Sequence, residues 1–149
     1  MPQPTPYLSF NGNCAEAMRH YAHILDGTLQ TLMTYGDSPG CENMPEAEKK
    51  LIMHAYLAWP DGGVLMAGDC PPNLPYPGMQ GVMLTLSYPT QAAAVEVFNK
   101  LADGGKITMP LAATFWAKTF GMVVDRFGLA WGINGEQTSV HDYAEGKML

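Results

Sequence analysis

A chain of 149 residues is the size of one ordinary domain and can bury a core without disulfide or metal staples. Hydrophobic residues make up 47% and charged residues only 15%, which excludes a disordered chain. Eight basic against fourteen acidic residues give a net charge of -6, and the longest basic run is Lys49-Lys50, so no nucleic-acid partner is expected.

The opening stretch, MPQPTPYLSF, has neither a basic n-region nor a long apolar h-region, so no signal peptide is expected. Thr5–Phe10 reads as a first strand. Asn11-Gly12-Asn13 is a turn, with Asn13 placed to cap a helix and Glu16 at the capping-box position. Ala17, Met18, Tyr21, Ile24 and Leu25 then form one helical face, and Gly27 is expected to stop the helix. Thr28–Tyr35 reads as a strand with Leu29, Thr31, Met33 and Tyr35 on one face. Gly36 to Lys50 is a polar loop with one helical turn near Pro45–Lys49, long enough to be a candidate lid or dimer contact. Leu51–Trp59 and Val64–Asp69 flank Pro60-Asp61-Gly62-Gly63, a hairpin signal. Cys70 to Gly81 is a Pro/Gly-rich connector.

The order then repeats. Val82–Tyr88 is a strand, and Pro89-Thr90 opens a helix with Ala94, Val95, Phe98, Leu101 and Ala102 on one face. Asp103-Gly104-Gly105 ends it. Three β-type runs follow, Lys106–Pro110, Trp116–Val124 and Leu129–Asn134, broken by Pro110 and by the Asp125–Gly128 turn. Their aromatic density suggests a curved sheet around something apolar.

Each half reads strand–helix–strand–strand–strand, so the expected fold is α+β: paired βαβββ modules forming cupped mixed sheets, with helices on the convex faces. The expectation is one domain over residues 1-149, with modules at about 4-70 and 79-135, a linker at 70-81 and a polar tail at 136-149. No window approaches the ~18 apolar residues of a membrane span. Cys14, Cys41 and Cys70 follow no CxxC spacing and read as free thiols in a reducing, cytoplasmic compartment.

The chain resembles the vicinal oxygen chelate superfamily, which includes glyoxalase I, extradiol dioxygenases and fosfomycin-resistance enzymes. It is most similar to the PhnB-like branch, often labelled glyoxalase-like or 3-demethylubiquinone methyltransferase-like. The resemblance rests on Pro6-Tyr7-Leu8 through Phe10-Asn11-Gly12-Asn13-Cys14, on Glu16-Ala17 and Tyr21, and on Met53-His54-Ala55. It continues through Met109-Pro110-Leu111, Thr114-Phe115-Trp116, Phe120-Gly121, Asp125, Phe127-Gly128 and Trp131 to Asn134. It implies a glyoxalase-like fold, a homodimer that can exchange modules, and a small-molecule ligand.

The superfamily's chemistry needs a divalent metal held by His, Gln or Glu from four strands. By that resemblance His54 stands at one ligand position, while the others fall near Pro6 or Tyr7, Val82 or Met83, and Trp131 or Gly132. One ligand of four does not hold a metal, so no metal site and no cofactor are predicted, with a divalent ion kept as an open alternative. His54 is the candidate catalytic residue, as general base or hydrogen-bonding anchor; the plainer alternative is a histidine satisfied by backbone. Alternation puts Ile52, His54, Tyr56 and Ala58 on one face. Tyr7, Phe10, Tyr56, Trp116, Phe120 and Trp131 are the candidate pocket residues, with core or interface packing as the alternative; Tyr7 and Phe10 face opposite ways, so at most one lines a cup.

Weaker candidates surround these. Thr108, Thr114, Lys118, Thr119 and Asn134 are scattered polar residues without a catalytic pattern. His20 and His23 lie three apart on the first helix, a solvated face being the plain reading, and His141 sits in the polar tail. Asp69 either reaches a pocket mouth or caps a turn. Cys14, in the first helical turn, is the one cysteine placed for thiolate chemistry. Gly104-Gly105-Lys106 lacks the upstream glycine of a phosphate loop. Methyl transfer would need a doubly wound sheet with a Gly-rich first loop, and neither is visible. Two functions stay open: a glyoxalase-like enzyme acting on a small oxygen-rich or phosphonate-type metabolite, and a non-catalytic small-molecule binding protein.

Overall fold

In the computed structural model, which describes residues 1–138, strand alternation in β1 (Tyr7–Phe10) turns Leu8 and Phe10 into the core and Tyr7 and Ser9 the other way. The chain divides into two units, Met1–Gly78 and a second beginning at Met79. In the first, β1 is followed by α1 (Cys14–Ile24), β2 (Thr28–Thr34), a 3-10 turn at Tyr35–Asp37, the short α2 (Glu46–Lys49), β3 (Ile52–Ala58) and β4 (Val64–Asp69). The sheet order is β1-β4-β3-β2, with β1 parallel to β4 and the other pairs antiparallel. The expected polar tail, His141 included, lies outside the described residues from 139 onward.

Helix α1 buries Cys14, Ala17, Met18, Tyr21 and Ile24, one stripe at helical spacing, against the face that carries Leu8, Phe10, Ala55, Leu57, Leu65 and Ala67. Its ends differ from the sequence expectation. The Asn13 side chain makes no capping bond; the Asp69 carboxylate takes that place from across the sheet. At the other end the left-handed residue is Asp26, with φ 53°, not Gly27. Gly27 is required for close approach instead, because a Cβ there would stand 2.9 Å from the Trp59 ring, whose Nε1–H donates to the Leu25 carbonyl at 2.7 Å. The hairpin forms as expected, with Gly62 at φ 96° and Trp59 N–H donating to Gly63 O.

A bulge corrects the expected faces of β3. Met33 pairs with His54 and Thr34 with Ile52, so Met53 is the extra residue. Ile52 therefore joins Ala55 and Leu57 in the core, while His54 and Tyr56 face away from α1. A second irregularity at Gln30 breaks the expected single face of β2.

The second unit repeats the order: β5 (Met83–Tyr88), α3 (Gln91–Ala102), β6 (Lys106–Ala112), β7 (Ala117–Val124) and β8 (Ala130–Gln137), arranged β5-β8-β7-β6 with β5 parallel to β8. Thr90 caps α3, its side-chain oxygen accepting the Ala93 amide at 3.1 Å. The buried stripe of α3 is Ala94, Val97, Phe98 and Leu101; Val95, expected to be inside, is exposed because it falls off that spacing. Pro110 does not end its strand. It sits in β6, an edge strand, inside the irregular stretch between Met109 and Ala112 where the regular pairing with β7 lapses. Both units are thus βαβββ modules, and the fold is the α+β arrangement expected from the sequence.

Candidate functional site

Register and alternation place Tyr7, Ser9, Met66, Gly68, His54 and Tyr56 on the face of the first sheet away from α1. Tyr7 is half exposed and leans along this face until its hydroxyl lies 3.4 Å from His54 Nδ1 and 3.2 Å from the Met53 carbonyl. The two rings stack at 5.8 Å with an interplanar angle of 24°, and the Tyr56 ring lies 6.5 Å from His54, tilted by 55°. Gly68, beside Ser9 in the register, makes room. A Cβ there would stand 3.0 Å from the Tyr7 hydroxyl and 2.9 Å from the Met53 carbonyl. Partial burial, followed by the proximity of Cys14 and Tyr35, raises the Tyr7 pKa, so its hydroxyl keeps its proton at neutral pH.

Phe10, another pocket candidate, is fully buried on the α1 side of the same strand and belongs to the core. Trp131 is corrected the same way. It is 2% exposed, pairs with Leu84 and Val123 on the α3 side of the second sheet, and donates its Nε1–H to Asp125 Oδ2 at 2.8 Å. Buried tryptophan with its N–H satisfied is a packing arrangement.

Trp116 and Phe120 lie differently. Phe120 pairs with Asn134 on the face away from α3, and Trp116 meets it edge-on at 5.2 Å. Trp116 Nε1–H donates to Asn134 Oδ1 at 2.9 Å, Asn134 Nδ2 donates to Ser87 Oγ at 3.3 Å, and the Ser87 hydroxyl donates to Gln137 Oε1 at 2.8 Å. Sequence reasoning left Asn134 among scattered polar residues. Alternation from Trp131 would have put it on the opposite face, 3% exposed, among the aromatics.

Asp69 has the capping role. Its Oδ1 accepts the Gly12 and Cys14 amides at 2.9 and 3.0 Å, and its Oδ2 accepts the Ile52 amide at 2.8 Å. Cys14 is no thiolate nucleophile. Burial, with the Asp69 charge second, pushes its pKa up to about 12. A cavity of about 310 Å³ lies between the Asn11-Gly12 turn, Leu51 and the Cys70–Tyr76 part of the linker. None of the candidate pocket residues lines it. Its only sequence signal was the proline-rich linker, which Tyr76 pins to β1 by donating its hydroxyl to Ser9 O at 3.1 Å.

The superfamily's divalent metal was tested against these donors. On the face away from α1, His54 is the only imidazole, thiol or carboxylate among the six residues named. On the face away from α3, Met83, Thr85, Ser87, Gly132 and Asn134 supply none. Among the described residues no group of three His, Cys, Asp or Glu side chains could hold an ion, and His20 and His23 join no such group. The donor set of each face does not fit a divalent metal.

Comparison with known proteins bears on the family and the fold. The family described as 3-demethylubiquinone-9 3-methyltransferase matches residues 2–134. Protein YjdN of Escherichia coli K12 is 33% identical over 138 residues, covering 87% of this chain and 92% of its own. The crystal structure of protein PA1353 from Pseudomonas aeruginosa is 47% identical, with a TM-score of 0.84 over 92% of this chain and 99% of that one. A Bacillus cereus structure described as a putative 3-demethylubiquinone-9 3-methyltransferase, PhnB protein, is 25% identical, with a TM-score of 0.74 over 89% and 98% of the two chains.

Proposed function

The chain belongs to the 3-demethylubiquinone-9 3-methyltransferase family, the PhnB-like branch of the vicinal oxygen chelate superfamily, and on that premise we propose that it binds or acts on a small metabolite with His54 as its polar centre. One observation carries this reading. His54 is half-buried on the face away from α1, with the Tyr7 hydroxyl 3.4 Å from its Nδ1 over a side-chain-free Gly68, which supports an imidazole positioned to meet a ligand. Tyr56 beside it is a candidate for ligand packing, and at the second unit's face Trp116 and Phe120 are candidates for contact with a planar or apolar group.

Metal-free chemistry or binding is favoured over chelate chemistry because no three His, Cys, Asp or Glu side chains among the described residues group to hold an ion. The family's description names a methyltransferase, but each sheet has a single parallel pair and β1 is followed by Asn11-Gly12-Asn13 rather than a Gly-rich phosphate turn, which argues against methyl transfer. The alternative function is sequestration or sensing of the same ligand without turnover. We further propose that the two units act as one cytoplasmic domain and that the protein is a homodimer. The exposed Val82, Met83, Ile107 and Phe115 of the second unit support the dimer, and the three free cysteines support a reducing compartment. No helix among the described residues is long and apolar enough to cross a membrane.

The test is a thermal-shift and calorimetric screen of dicarbonyls, diols and phosphonates on the parent and on His54→Ala. At least one class should stabilise the parent and fail to stabilise the variant. Stabilisation that survives in His54→Ala, or none with any class, overturns the assignment of His54.

A further inference from the structure

The Tyr7 hydroxyl has one proton and two neighbours that could receive it. The Met53 carbonyl, at 3.2 Å, can only accept; His54 Nδ1, at 3.4 Å, accepts or donates according to its tautomer. Giving the proton to Met53 O satisfies both contacts only if Nδ1 carries the imidazole hydrogen and donates it to Tyr7 Oη. In a neutral ring Nε2 is then bare. Met53 is the extra residue of the β3 bulge, without a register partner in β2 or β4, and its carbonyl lies within reach of the Tyr7 hydroxyl. Gly68 admits the hydroxyl. Among the described residues the imidazole has no other hydrogen-bond partner, so none of them competes for Nε2.

We propose that Tyr7 is a positioning residue that locks His54 in the Nδ1–H tautomer, so that Nε2 is an acceptor for a ligand carrying a hydroxyl or N–H donor. This rests on the assignment of the His54 face as the ligand face, and it sharpens it: the ligand group at His54 is a donor, not a carboxylate or phosphonate oxygen. The reverse arrangement, with Tyr7 donating to Nδ1, would give up the Tyr7 bond to Met53 O and turn Nε2–H toward an anion. The two arrangements therefore select opposite ligand chemistry.

Long-range ¹H–¹⁵N correlation spectra of the labelled, ligand-free protein at about pH 8.5, above the ordinary imidazole range, distinguish them. His54→Gln assigns the residue among the four histidines. The expected pattern is a pyrrole-type Nδ1 and a pyridine-type Nε2 for His54, reverting in Tyr7→Phe to the Nε2–H form that free imidazole side chains favour. A pyridine-type Nδ1 in the parent overturns the proposal, as does a pattern unchanged by Tyr7→Phe. The parent spectrum decides even if the variant fails to fold. Because no ligand is present, a failed ligand screen and a failed tautomer assignment are separate results. With a diol that binds, Tyr7→Phe should weaken affinity by roughly five- to tenfold while leaving the fold intact.

Discussion

The Cys14 amide donates to Asp69 Oδ1 at 3.0 Å, so the first turn of α1 is capped from the end of β4, 55 residues away. The same carboxylate also receives the Gly12 and Ile52 amides, tying the turn before α1 to the start of β3. A buried acceptor serving three backbone donors is costly to lose, because each amide is left unsatisfied in the interior. Asp69→Ala should therefore lower stability by at least about 3 kcal/mol, and Asp69→Asn by less, since its carbonyl oxygen still accepts. Urea unfolding followed by circular dichroism measures both. A loss for Asp69→Ala no larger than that of an exposed Asp61→Ala control would sink the claim.

Cys14 gives a pH dependence of fixed sign. Burial and the Asp69 charge raise its pKa from the ordinary 9.0 to about 12, so the folded state keeps a proton that the unfolded chain has lost. The stabilisation is complete below about pH 9 and falls as pH rises toward 12. Unfolding free energies at pH 8 and pH 10.5 should thus drop more steeply in the parent than in Cys14→Ala. Tyr7, Tyr35 and Tyr76 are also raised, and comparison with the variant removes their share. Thiol titration of the native protein should show Cys41 and Cys70, both partly exposed, reacting fast and Cys14 reacting only on unfolding. Three fast thiols would contradict its burial.

The βαβββ repeat was legible because each element carries its own local signal: helical spacing at Ala17, Met18 and Tyr21, alternation at Leu8 and Phe10, a four-residue turn before Val64. The α1 cap was not, since its acceptor is remote in sequence and only the sheet brings Asp69 to Cys14. The β3 bulge was likewise invisible, and with it the separation of Ile52 from His54, because a one-residue insertion leaves no mark on a strand's composition. Aromatic residues mislead for a related reason. Trp131 and Trp116 look alike in sequence, yet strand parity sends Trp131 against α3, while Trp116, in the bend before β7, lies against Phe120 and Asn134 on the opposite face. Tyr7 was a pocket candidate, but its bond to His54 depends on Gly68 being empty, a fact about space rather than spacing.

Asp125 and Trp131 form the second unit's buried polar anchor. Oδ1 accepts the Phe127 and Leu129 amides at 2.9 and 3.1 Å, closing the turn, while Oδ2 accepts the Trp131 Nε1–H. Trp131→Phe keeps the ring's bulk in part and strips the donor, so it should cost about 2 kcal/mol from the lost hydrogen bond and the lost area. Asp125→Asn should show a coupling of about 1 kcal/mol with it in a double-mutant cycle, since the two side chains meet directly. Additive losses would mean the hydrogen bond contributes nothing to stability.

The donor count around His54 makes a prediction about metals. An imidazole nitrogen alone gives a divalent ion a single anchor, and the side chains around it on its face are the phenols of Tyr7 and Tyr56 and the thioethers of Met33 and Met66. Tyr7 keeps its proton near neutral pH, which removes it as an anionic ligand. A protein that depended on a bound ion for stability would lose that stability to a chelator, by mass action on the folded state. Treatment with EDTA should therefore leave the melting temperature unchanged. Titration with Zn²⁺, Ni²⁺, Mn²⁺ or Fe²⁺ should give no stabilisation that distinguishes the parent from His54→Ala. A chelator-induced drop in the parent, absent in the variant, would mean that His54 works with ligands brought from beyond its own sheet, and the reaction class would revert to chelate chemistry.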